Sequence, residues 1–190
     1  MADSNNIDDD SNLVTCDKNN VYFFTEITPK TQHKFYSVMG QALQYVQNSK
    51  AYPYMRYDMS IILHINCPGG YVTCSFAIYD YLKGITSASV YGIVEGEASS
   101  GGSLMFLGCS HRDMTDNSFV LIHELRGECS GKYREQKDRI VCSDLLMNKL
   151  KHIYLKETDI EPDTLDDVLS HDMYWDKDTC KKYGILTEDE

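Results

Sequence analysis

Ser99, Ser100, Gly101 and Gly102, in the stretch GEASSGGSLMF, are the residues of this chain whose type and spacing first suggest covalent chemistry. A serine hydroxyl becomes a nucleophile beside a base that takes its proton, and the base needs a carboxylate to fix its tautomer. His123, at the end of SFVLIH, is a candidate base, because an alternating strand that ends in His-Glu puts the imidazole at a strand terminus. A second glycine turn, NCPGGYV with Gly69 and Gly70, offers the same asset as Gly101: backbone N–H groups that can come close to a substrate oxygen. Each loop taken singly also reads as an ordinary turn, and His123 as an ordinary hydrogen-bonded residue at a strand end. Spacing alone selects no carboxylate among 29 acidic residues.

The elements that must position these residues follow from hydrophobic periodicity. VYFF reads as a short buried strand, and the Thr-Pro start of TPKTQHKFYSVMGQALQYVQ opens a helix with Phe35, Val38, Met39, Ala42, Leu43 and Val46 on one face. MSIILHIN is a β-branched strand stopped by CPGG, and VTCSFAIYDYLKGI follows as a helix. ASVYGIV is the next strand, and SLMFLGC is the helix after the two serines. HRDMTD and SFVLIH read as two further strands, residues 132–157 as the longest helix, and EPDTLDDVL and DKDTCKKYG as two short helices, the last closed by Gly184. Strands alternating with helices of this length predict an α/β fold. Both glycine turns then fall at the carboxyl ends of strands, where such sheets bind ligands. GEASSGGS lacks the G-x-S-x-G of the α/β-hydrolase elbow and the G-K-[ST] of a phosphate loop.

The chain of 190 residues suits one domain, with residues 1–20 as an acidic, mobile arm and residues 21–190 as the globular part. A net charge of −11 argues against nucleic acid as the partner. No apolar run is long enough for a membrane span or a signal peptide, so a cytoplasmic protein without membrane contact is expected. Seven cysteines without a C-x-x-C pair fit reduced thiols, mostly small core residues.

Four segments together carry a family resemblance. INCPGGYVTCSFAIYDYL, GEASSGGS, NSFVLIHEL and HDMYWDKDTCKKYGIL are similar, in order and spacing, to the motifs of the proteolytic subunit of the Clp (caseinolytic) protease, a serine peptidase family. The resemblance runs from about Val21 to Leu186. It implies the ClpP/crotonase-type fold of repeated ββα units, with a protruding handle made of a strand and a long helix. It also implies a Ser-His-Asp triad of Ser100, His123 and Asp172, with Ser99 a helix-start or packing residue, and an oxyanion hole from the backbone N–H groups of Gly70 and Gly101. Gly69 and the loop residues Leu125, Arg126 and Gly127 are the implied substrate-binding positions. Neither metal nor organic cofactor is required.

The implied assembly is a homo-oligomer of heptameric rings, stacked as a tetradecamer, that cleaves peptides and unfolded polypeptides. The implied partner is an AAA+ unfoldase. Weak or absent coupling to it is expected, because only 20 residues precede VYFF and because Ile62 and His64 stand where the family often carries aromatic docking residues. Two alternatives are a non-catalytic scaffold or regulatory ring subunit, whose triad should be broken, and a crotonase-type acyl-CoA enzyme, which would need a nucleotide site.

Overall fold

Residues 10–50 and 60–187 are described by the structure, a computed structural model. A 3-10 turn at Asp10–Leu13 leads into strand β1 (Val14–Asp17), which pairs antiparallel with β2 (Asn20–Phe23). Helix α1 (Pro29–Lys50) follows. Its start is fixed by a reciprocal pair: the Thr31 N–H donates to Thr28 Oγ1 at 3.1 Å and the Thr28 N–H to Thr31 Oγ1 at 2.8 Å. Phe35, Val38, Met39, Ala42 and Val46 are buried, as their helical spacing requires.

Strand β3 (Ile61–Cys67), helix α2 (Val72–Lys83), strand β4 (Val90–Ser99) and helix α3 (Gly101–Gly108) come next. Strands β5 (His111–Met114) and β6 (Phe119–Ile122) precede the long helix α4 (Tyr133–Glu157). Helix α5 (Pro162–Leu169), strand β7 (Met173–Trp175) and helix α6 (Lys177–Lys182) complete the chain. The sheet has seven strands in the order β1-β2-β3-β4-β6-β7, with β5 also paired to β4. Strands β2 to β6 run parallel. The two halves of β4 part company: Tyr91–Val94 pairs with β5 and Glu97–Ser99 with β6.

This topology positions the site. Because β3, β4 and β6 run parallel, the residues just beyond Cys67, Ser99 and Ile122 emerge at the same, carboxyl end of the sheet. Beneath them Phe106, Leu104, Met105 and Ile65 are wholly buried. Cys67, Cys74, Cys109 and Cys180 are buried, and burial pushes the thiols of Cys67, Cys109 and Cys180 up to about 12, so they fill the core as inert side chains.

Four sequence expectations change. The arm assigned to residues 1–20 gives up Val14–Asp17, which forms β1 with Val14 fully buried; four residues were too few to show a period. Asp10–Leu13 form the 3-10 turn before β1 and Asn20 opens β2, while residues 1–9 of the arm lie outside the described residues. Strand β4 runs on past the expected ASVYGIV, across Gly96 at φ 114° and through Glu97 and Ala98 to Ser99. Strand β7 was not expected at all, having three residues of which two are exposed. In the handle, residues 123–132 form no strand within this single chain; the Glu124 N–H goes to the Leu169 carbonyl and the Leu125 N–H to Met147 Sδ instead. The helical half is present, and residues 133–145 at the start of α4 are exposed on every face.

Candidate active site

Ser100 occupies the single-residue junction between β4 and α3. Its backbone takes φ 53° and ψ −120°, a conformation costly for a non-glycine residue, on the order of 1–3 kcal/mol. The surroundings hold it there. Its N–H donates to the Leu121 carbonyl of β6 at 2.8 Å, and its own carbonyl accepts from the Ser103 N–H at 3.0 Å and the Ser103 hydroxyl at 2.6 Å. The neighbouring serine is differently placed. Ser99 is the last residue of β4, is buried, and donates its hydroxyl to Glu97 Oε2 at 2.5 Å on the same strand face. Ser100 instead lines a cavity of about 680 Å³.

The glycine turn after β3 is pressed against this junction. Ile27 bridges it, donating to the Gly69 carbonyl at 2.6 Å and accepting from the Tyr71 N–H at 2.9 Å. Strand alternation therefore turns the Gly70 N–H away from Ile27. Gly70 has φ 141°, and a Cβ there would run into the Ile27 carbonyl. Gly69, at φ 113°, backs directly onto the serine, where a Cβ would stand 2.7 Å from Ser100 Cβ. Gly101 opens α3, so its N–H has no intrahelical partner. Among the described residues neither the Gly70 nor the Gly101 N–H meets a hydrogen-bond acceptor.

His123 follows β6 directly and is only 12 % exposed. Burial pushes its imidazole below the ordinary histidine range; the Asp172 carboxylate pulls it back up and the Arg126 guanidinium presses it down. Asp172 arrives through β7, whose antiparallel register sets Met173 against Ile122 and so brings residue 172 beside residue 123. Asp172 Oδ1 lies 3.5 Å from His123 Nδ1, while Oδ2 lies 2.5 Å from Arg126 Nη2. The loop that carries His123 and Arg126 is tied down by the Glu124 N–H to the Leu169 carbonyl at 2.9 Å and by the Leu125 N–H to Met147 Sδ at 3.3 Å.

Ser100, His123, Gly70, Gly101, Leu125, Arg126 and Gly127 all line the one cavity. Gly69 does not line it and supports the serine from behind; Asp172 is likewise off the wall, behind His123. No hydrogen bond joins Ser100 to His123 among the described residues, a looseness common before substrate binds. Sequence reading missed the opposite wall, where α4 contributes Ile140, Leu146, Met147, Leu150 and Tyr154. Their helical spacing was legible; the side of the sheet to which the long helix returns was not. It also missed Ser103 and Tyr154, whose hydroxyls meet at 2.6 Å under the serine.

Residue types of this kind on one cavity suit attack on a carbonyl carbon with its oxygen held by N–H groups: Ser100 and His123 line the space, and so do Gly70 and Gly101. No helix among the described residues is long and apolar enough to cross a membrane. The family model that matches is that of the Clp protease, over residues 27–188, and the chain belongs to that family.

Proposed function

We propose that this member of the Clp protease family is a serine endopeptidase that works by a Ser100–His123–Asp172 triad within a ring of identical subunits. The observation that supports this reading is that Ser100, His123, Gly70 and Gly101 line one cavity, with no acceptor for the Gly70 and Gly101 N–H groups among the described residues. Ser100 Oγ attacks the peptide carbonyl as His123 takes its proton. The carbonyl oxygen, now an anion, is held by the Gly70 and Gly101 N–H groups, and the positive end of α3 adds to their effect. His123 then returns its proton to the leaving amine, an acyl-enzyme forms on Ser100, and water activated by His123 releases it. Asp172 holds the ring tautomer and stabilises the imidazolium.

The cavity wall of Leu104, Leu146, Met147 and Leu150 suits an apolar side chain of an extended peptide. Members of this family assemble into rings, and for this chain heptameric rings stacked as a tetradecamer are the assembly we propose, with peptides and unfolded polypeptides as substrates. An AAA+ unfoldase is the proposed partner, with weak coupling. At the proposed docking strand His64 is occupied internally, stacked on Tyr22 at 4.6 Å with Nδ1 2.9 Å from Glu95 Oε1.

Labelling with a fluorophosphonate probe, with hydrolysis of a fluorogenic peptide, tests the activity. Covalent label on the parent protein and none on Ser100→Ala is the expected result. A non-catalytic ring subunit is the second reading, favoured by the closer contact of Asp172 with Arg126 than with His123. Absence of both label and hydrolysis from an assembled ring would establish it in place of the first.

A further inference from the structure

Arg126 and His123 flank one carboxylate from the same loop. Asp172 is 54 % exposed and stands in the turn ahead of a three-residue edge strand, so little packing fixes its side chain. Its Oδ2 is 2.5 Å from Arg126 Nη2 and its Oδ1 faces His123 Nδ1 at 3.5 Å. A carboxylate held at one oxygen by a guanidinium has its second oxygen aimed by the same contact. We propose that Arg126 is a positioning residue of this site, gripping Asp172 by one oxygen so that the other is presented to the His123 ring. The inference rests on the serine-peptidase reading and revises the role expected for Arg126, which was contact with substrate.

The contact has a second consequence, through charge. The charged groups acting on the His123 ring are Asp172 from the turn before β7 and Glu124 and Arg126 from its own loop. Glu26, Tyr71, Glu128, Cys129, Arg139 and Tyr154 are the other titratable residues lining the cavity, and His171, next to Asp172, faces Asp167 at 3.8 Å. Burial already favours the neutral ring, and the Arg126 cation acts in the same direction, both directly and by sharing the Asp172 charge. The residue that orders the carboxylate thus also keeps the base unprotonated at lower pH. Because Arg126 is 78 % exposed, its replacement disturbs no core packing.

The experiment reads His123 directly. Full-length Ser100→Ala protein with labelled histidine is titrated by NMR, with Arg126 intact, with Arg126→Gln and with Arg126→Lys. In parallel, kcat and KM for a fluorogenic peptide are measured on the same Arg126 variants with Ser100 present. In Arg126→Gln the His123 titration is expected to move to higher pH, and kcat to fall about tenfold with KM little changed, as loss of a fixed orientation predicts. Arg126→Lys keeps the cation but not the forked geometry, so it should leave the titration near that of the parent and recover part of kcat. An unmoved His123 titration in Arg126→Gln would overturn the proposal. So would a raised KM at constant kcat, which would return Arg126 to the substrate. If no form hydrolyses peptide, the peptidase reading falls, while the His123 titration still decides whether Arg126 acts on the pair.

Discussion

The Tyr154 hydroxyl lies 2.6 Å from the Ser103 hydroxyl, deep under the candidate nucleophile. Ser103 has one hydroxyl proton and gives it to the Ser100 carbonyl at 2.6 Å, so Tyr154 must be the donor to Ser103. That carbonyl belongs to the same planar peptide unit as the Gly101 N–H. Fixing one end of the unit fixes the direction of the other, so a phenol on α4 helps aim a proposed oxyanion donor at the start of α3. Tyr154→Phe should lower kcat several-fold with KM little changed, and cost about 1 kcal/mol of stability. Steady-state kinetics and a denaturant melt check this; a change confined to KM would disconnect Tyr154 from the chemistry.

The two serines should separate cleanly. Ser100→Ala is expected to reduce peptide hydrolysis on the order of 10⁴-fold or more. Ser99→Ala removes only a hydroxyl bonded to Glu97 and should keep most of the activity. Comparable losses in both would mean that the strand face of Ser99, rather than the cavity, governs the reaction.

The pH profile follows from the histidine. As a base His123 must be neutral, and burial holds it below the ordinary value of about 6.5. Since protonation removes the base, kcat/KM should fall as pH drops through this lowered value, leaving activity intact at pH values where an ordinary histidine is already largely charged. Rates on a short peptide across the acid range give the limb directly. A limb above the ordinary histidine value would show that Asp172 outweighs burial.

Gly70 is the turn position least able to accept a side chain. Gly70→Ala sets a methyl group against the Ile27 carbonyl at φ 141°. Something must shift, at a cost on the order of 1–3 kcal/mol, and the Gly70 N–H moves with it. The variant should melt earlier and lose kcat far more than a change of stability alone would explain. Gly40→Ala, on α1 away from the cavity, where a Cβ meets nothing within 4 Å, is the control. Equal activity in the two variants would remove Gly70 from the oxyanion site.

The parts of this fold legible in sequence are those with a long period or a special turn. Phe35 to Val46 declared one helix, Ile61 to Ile65 a buried strand, and the glycine pairs marked both turns that meet at Ser100. What escaped depends on partners distant in the chain. β1 and β7 are strands only because β2 and β6 lie beside them. The Ser103–Tyr154 pair joins residues 51 positions apart, and the Arg126–Asp172 pair spans 46. Asp172 itself was chosen by family resemblance, since nothing in its neighbours' spacing announces that β7 will carry it to His123. Long-range polar pairing leaves no periodic trace in a sequence.

The first turns of α4 make the last prediction, because they leave large apolar side chains in water. Tyr133, Ile140, Val141 and Leu145 are 71, 57, 67 and 61 % exposed, and Met173 and Tyr174 on β7 are 64 and 59 % exposed. Scattered apolar residues on a surface need no explanation, but a projecting helix that holds four within thirteen residues does. In a family of ring assemblies, the expectation is that another subunit covers this helix, and that the strandless part of loop 123–132 beside it is held further by the same contact. A charge placed in that contact loses its water without gaining a partner. Val141→Asp combined with Leu145→Asp should therefore reduce the assembled mass in sedimentation velocity while leaving the subunit folded by circular dichroism. Peptide hydrolysis should fall along with the mass, since His123 and Arg126 both sit on that loop. An unchanged mass would place the subunit contacts elsewhere, and full activity at reduced mass would show that the loop holds its shape without them.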